Sequence, residues 1–104
     1  MRITGPMKRL TVFFSEKDRF GHHALSTELL ERAHEAGLHG ATLLRGLAGF
    51  GTSMTVHTSH VLSLSDDLPL VLVLVDTADR VEAFLPQLGI VESGLVLLED
   101  VEAV

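Results

Sequence analysis

Leu68-Pro69-Leu70-Val71-Leu72-Val73-Leu74-Val75-Asp76 decides the fold. From Leu68 to Val75 the run is apolar without a break, and it is far too short to cross a bilayer. Such a run predicts a strand that is apolar on both faces. Pro69 belongs at its start, where a missing N–H does least harm. Asp76 closes it and is placed to cap a following helix.

Downstream, Val81, Phe84, Leu85 and Leu88 form the apolar face of that helix, and Pro86 predicts its end or a kink near Leu85. Gly89 and Gly94 bracket a turn region, and Leu95 to Val101 predicts the last strand. Upstream, Lys8 to Phe14 alternates. Leu10, Val12 and Phe14 point one way and Arg9, Thr11 and Phe13 the other, the pattern of a half-buried strand. Ser15-Glu16-Lys17-Asp18-Arg19 is a charged connector, and Gly21 is a candidate opener of the next helix. Leu25, Leu29, Ala33 and Ala36 recur at helical spacing, Leu30 widens the stripe, and Gly37 is suited to close the helix. Gly40 to Leu47 predicts a further strand. Gly46 to Ser65 has no strong periodicity, although Val56 to Leu64 is compatible with an extended hairpin. A segment that long inside a compact domain is usually functional or mobile.

The order is strand, helix, strand, long loop, strand, helix, strand. Two βαβ-like halves predict an α/β fold, an α+β sandwich of the ferredoxin-like βαββαβ type with a four-stranded antiparallel sheet. Two helices cover only one face of such a sheet. The strand at Leu70 to Val75 and the stretch Leu95-Val96-Leu97-Leu98 are apolar on both faces, so the uncovered face is expected to be buried in a homo-oligomer.

A chain of 104 residues is one domain, with room for one modest core. Met7 begins the patterned part, so residues 7–104 are read as the domain and residues 1–6 as an N-terminal extension or mobile tail. The formal net charge of −6 disfavours non-specific contact with a phosphate backbone, and no basic patch invites an anionic membrane. Nucleic acid and membrane insertion are therefore set aside. Cysteine is absent, which removes disulfides, thiolate metal sites and thiol nucleophiles together. With no signal-peptide pattern at Met1 to Pro6, a cytoplasmic protein is expected.

Leu43-Leu44-Arg45-Gly46, then Gly49-Phe50-Gly51, then Asp67-Leu68-Pro69 before a Val/Leu strand ending in Asp76, resemble the PII-like (GlnB-like) signalling superfamily. Within it the chain is most similar to the branch called Domain of Unknown Function family 190. Glu16-Lys17-Asp18-Arg19, Gly40-Ala41-Thr42, His57-Thr58 and Phe84-Leu85-Pro86 add to the likeness, which runs from Met7 to Val101. The resemblance implies a trimer with its sheets inward and a mobile loop at about residues 49–65. It also implies an adenine nucleotide bound between subunits at the base of that loop, and a partner such as a membrane transporter or channel. Two features depart from the pattern. The stretch from Gln87 to Ser93, where PII proteins carry a basic phosphate cradle, holds no Lys or Arg. The chain also has no Tyr for covalent modification of the loop. A nucleotide with fewer phosphates, or another small anion, fits that departure better than ATP.

The candidate ligand-binding residues are Asp18, Arg19, Arg45, Gly46, Gly49, Phe50, Gly51, His57 and Thr58. Glycines at 46, 49 and 51 let backbone N–H groups approach an anion, or serve as a hinge with unusual backbone angles. Arg45 is suited to hold a phosphate or carboxylate through two hydrogen bonds, or to pair with Glu16 or Asp18. Asp18 and Arg19 lie at the same sheet edge or are ordinary loop charges. His57 and His60, or His22 and His23, are the residues a metal would need, yet they lack a fixed carboxylate or thiolate partner, and no metal is expected. Asp66-Asp67 reads as a turn before Pro69. Ser53 and His57 share the loop without a nucleophile-elbow pattern, so no catalysis is expected. The leading expectation is a sensory trimer. A metal-responsive trimer like the CutA proteins, a small hydrolase or lyase, and an adaptor without a small ligand are its rivals.

Overall fold

A computed structural model describes residues 1–50 and 67–104. Its elements are β1 (Gly5–Ser15), β2 (Arg19–Phe20), β3 (His23–Ala24), α1 (Leu25–Glu35), β4 (Ala41–Arg45), β5 (Pro69–Asp76), α2 (Ala78–Phe84), a 3-10 helix (Leu85–Ile90) and β6 (Leu95–Ala103). The main sheet has the order β4-β5-β1-β6, with every neighbouring pair antiparallel. This is the ferredoxin-like arrangement expected from the strand and helix order.

Register fixes which residues share a face. Leu10 lies opposite Leu74, Val12 opposite Leu72 and Phe14 opposite Leu70. Because side chains alternate along a strand, these six point to one side. There Leu25, Leu29 and Ala33 of α1 and Val81 and Phe84 of α2 cover them, and all belong to one buried cluster. The other side carries Phe13, Val71, Val73 and Val75, with Leu44 of β4 and Leu95 and Leu97 of β6. No described element lies over that side. Phe13 is 39% exposed and Leu44 and Leu95 are each 53% exposed, whereas Leu10, Val12 and Leu72 are at 0%.

The structure departs from the sequence expectations at several element ends. β1 starts at Gly5, not Lys8, because Gly5 and Pro6 register with Ala103 and Glu102 of a β6 that runs two residues beyond Val101. Residues 5 and 6 of the expected extension are thus part of the sheet. α1 starts at Leu25 because Arg19–Phe20 and His23–Ala24 form a small ribbon turning at Gly21, and the Leu25 N–H donates to the Asp18 carbonyl. Gly37 does close α1. At φ +77° it lets its own N–H reach the His34 carbonyl and the Leu38 N–H reach that of Ala33. Pro86 does end α2, which gives way at Leu85 to the 3-10 turn. Asp76 does not cap α2 by its side chain; Thr77 is the N-cap residue, and the Asp76 carboxylate turns inward.

Candidate functional site at the loop base

β5 runs antiparallel to both β1 and β4, so the C-terminal ends of β1 and β4 meet the start of β5 at one edge of the sheet. Ser15 lies opposite Pro69, and Arg45 lies opposite Leu70. This edge therefore gathers the connector after β1, the exit from β4 and the entry to β5.

Glu16 links all three. Its Oε2 accepts from Arg45 Nε at 2.9 Å and its Oε1 from Arg45 Nη2 at 3.1 Å. The Leu68 N–H also points to Oε1, at 3.4 Å, while the Glu16 N–H donates to the Leu68 carbonyl at 3.0 Å. The Arg45 side chain remains 51% exposed, so a fork-shaped donor set stands at the protein surface with a carboxylate already seated in it. One strand away, Ser15 Oγ donates to Asp67 Oδ1 at 2.6 Å and accepts from the Lys17 N–H at 3.1 Å.

Glycine is needed at the exit from β4. The Gly46 N–H donates to the Pro69 carbonyl at 2.8 Å, and a Cβ on Gly46 would lie 2.7 Å from Pro69 Cγ. Gly49 stacks on the same ring at φ +156°, with a Cβ position 3.1 Å from Pro69 Cγ. The proline that opens β5 is thus the surface over which the chain leaves β4. Phe50 follows, 71% exposed, and Leu47 is 78% exposed.

The structure brings Arg45, Gly46 and Gly49 together, with Phe50 next to them. Asp18 adjoins them through β1. Its Oδ2 accepts from the Ser15 N–H at 3.0 Å, so its side chain closes the turn after the strand. Arg19 turns to its own ribbon. Its Nη2 donates to the His22 carbonyl at 2.6 Å and ties the β2–β3 ribbon. Gly51, His57 and Thr58, and with them Ser53, His60 and Asp66, lie outside the described residues. Among the described residues no three His, Asp or Glu side chains converge as metal donors, and no helix is long and apolar enough to cross a membrane.

Sequence reasoning missed the opposite end of β5. The Asp76 side chain is fully buried. Its Oδ2 accepts from the His39 N–H at 2.9 Å, and its Oδ1 from the Thr77 N–H at 2.7 Å and from His39 Nδ1 at 3.1 Å. Burial alone would raise the Asp76 carboxyl. The two backbone N–H donors, helped by the charges of His39 and Arg80, outweigh it and hold the group below its ordinary range. The available signal was an acidic residue ending an apolar strand, which also fits a plain helix cap.

Comparison with known proteins places this geometry. Residues 7–103 match the family DUF190, described as Uncharacterized ACR, COG1993. A UPF0166 protein of Aquifex aeolicus (strain VF5) is 36% identical over 97 residues, covering 93% of this chain and 92% of the relative. CPII of Thiomonas intermedia K12, in a structure bound to ADP and bicarbonate, superposes with a TM-score of 0.58 at 25% identity, over 99% of this chain and 93% of that one. TTHA0516 of Thermus thermophilus, described as PII-like and signaling, superposes with a TM-score of 0.65 at 17% identity, over 97% and 92%. The chain belongs to the DUF190 family, and its fold is that of the PII-like proteins.

Proposed function

We propose that this chain is a PII-like regulatory protein and not an enzyme. In this reading it is a cytoplasmic homotrimer that senses a small anionic ligand at the loop base and passes the signal to a protein partner such as a membrane transporter.

The observation that carries the reading is Arg45 at the loop base. Its guanidinium holds one carboxylate by two bonds and stands half in solvent, where a phosphate or bicarbonate can compete for the same donors. CPII, with the same fold, is described bound to ADP and bicarbonate, which supports a ligand of this class here. The stretch from Gln87 to Ser93 has no Lys or Arg, so the preferred nucleotide carries fewer phosphates than ATP. The bare side of the sheet supports assembly with further copies of the chain, which this reading takes to be a trimer. Phe13, Leu44, Leu95 and Leu97 are too exposed for a side that stays in water, and the Arg9–Glu99 ion pair supplies a polar rim. Ligand-dependent ordering of the chain beyond Gly49 would then alter affinity for the partner.

Thermal unfolding against ADP, AMP, ATP and bicarbonate tests the reading. A ligand at about a hundred times its dissociation constant stabilises the fold by about 2.7 kcal/mol per site. A shift with ADP or AMP that is lost in Arg45→Ala supports it. Silence across the panel refutes the small-ligand sensor and leaves an adaptor that binds protein alone.

A further inference from the structure

At the far end of the sheet from the loop base, a cavity of about 220 Å³ opens between α1 and the start of β4. Leu30, Ala33, Leu38 and Ala41 wall it, and His34 and His39 are among its lining residues. The two histidines arrive by different routes. His34 is in the last turn of α1, and His39 follows the Gly37 closure of that helix.

His39 is held more firmly than its half-exposed ring would suggest. Its own backbone N–H donates to one oxygen of the buried Asp76 carboxylate and its Nδ1 meets the other. The carboxylate also takes the Thr77 N–H, and Nδ1 is the ring nitrogen that faces it. Nε2, on the other side of the ring, is not engaged by Asp76. A carboxylate behind an imidazole, fixing one nitrogen and leaving the other as a base, is the usual support of a histidine that ligates a metal. The setting suits a cation in two further ways. The cavity lies at the C-terminal end of α1, the negative end of the helix dipole, and the protein carries a net charge of −6. The nearby Arg80 guanidinium donates to the Gly37 carbonyl and is not among the cavity's lining residues.

We infer that His39, backed by Asp76, and His34 form a binding site for a divalent transition-metal ion of the imidazole-preferring kind, such as Zn²⁺, Ni²⁺ or Cu²⁺. Two protein nitrogens leave the remaining coordination positions open to water or to a small ligand, so the ion is exchangeable and not a structural clamp. Hard ions such as Mg²⁺ find no oxygen cage here and are excluded by donor type. The site is separate from the loop base and does not depend on the function proposed for it.

Calorimetric titration of the metal-free full-length protein with Ni²⁺ or Zn²⁺ tests this. One ion per chain is expected, with binding at least 10-fold weaker in His39→Ala and in His34→Ala. Asp76→Asn should weaken it about 10- to 100-fold. His57→Ala/His60→Ala should bind as the parent does. Because Asp76→Asn risks misfolding, ¹⁵N chemical shifts of the parent protein give a second readout, and Zn²⁺ should move Nε2 of His39 far more than Nδ1. Parent-like binding in His39→Ala, loss confined to the His57/His60 variant, or equal response to Mg²⁺ and Zn²⁺ would each overturn the inference.

Discussion

Glu16 and Arg45, 29 residues apart in sequence, form a two-bonded ion pair at the point where the chain leaves β4 and enters β5. The pair is partly exposed, so its own contribution to stability is about 1 kcal/mol or less. Its importance lies in what it withholds. While Glu16 fills the guanidinium fork, an incoming anion must displace it.

Arg45→Ala is therefore expected to abolish the ADP- or AMP-induced rise in Tm while leaving the unliganded protein within about 1 kcal/mol of the parent. Glu16→Gln keeps the shape and removes the competing charge, so its affinity for the same ligand should rise. Calorimetry on both variants checks the pair. A Glu16→Gln protein that binds more weakly than the parent would show that Glu16 belongs to the ligand's own contacts.

Gly46 and Pro69 make a second prediction at the same edge. A methyl group on Gly46 meets Pro69 Cγ at 2.7 Å, and the backbone there is tied by the Gly46 N–H to the Pro69 carbonyl. Gly46→Ala should destabilise the fold by about 1–3 kcal/mol, the usual cost of overpacking. Pro69→Ala removes the obstructing ring, so the double variant should recover part of that loss. A thermodynamic cycle from denaturant titrations measures the coupling. Simple additivity would mean that the two residues do not confine each other.

The bare side of the sheet predicts its own outcome. Leu97 is 40% exposed and outside the buried cluster, so Leu97→Lys should leave the monomer's secondary structure unchanged in circular dichroism. It should also convert a trimer into monomers in analytical ultracentrifugation, because a lysine on an apolar interface leaves a charge without water or partner. A parent protein that sediments as a monomer would refute the trimer directly.

The fold was legible because its signals are local and repeated. The alternation from Leu10 to Phe14, the unbroken run from Leu70 to Val75 and the stripe Leu25–Leu29–Ala33 each specify an element and the face it buries. Element ends were less legible. The start of β1 at Gly5 depends on a partner in β6 at the other end of the chain, and the β2–β3 ribbon has only two residues per strand to announce it. At the loop base the ion pairing of Arg45 with Glu16 was one of two open readings, and charge and order along the chain made it visible. Arg19 shows the opposite case, since nothing in its sequence neighbourhood says that it turns to the His22 carbonyl. The His39–Asp76 contact stayed hidden because it joins two residues 37 apart that carry no shared spacing pattern.

That contact gives the last prediction, made for the metal-free protein. In the folded state the Asp76 carboxyl titrates below its ordinary value of 3.8. As pH falls, the unfolded chain takes up this proton first, so protonation favours unfolding. Asp76's contribution is present in full above the unfolded value and is lost as pH drops through the folded one, in the region below about pH 4. Asp76→Asn removes the charge but keeps the size. It should cost about 2 kcal/mol at neutral pH, since one oxygen that accepted N–H donors becomes an amide nitrogen facing them. Its stability should also vary less than the parent's between pH 5 and pH 3. Urea unfolding of both proteins across that range measures the difference, and parallel curves would mean that Asp76 carries no pH-linked stability.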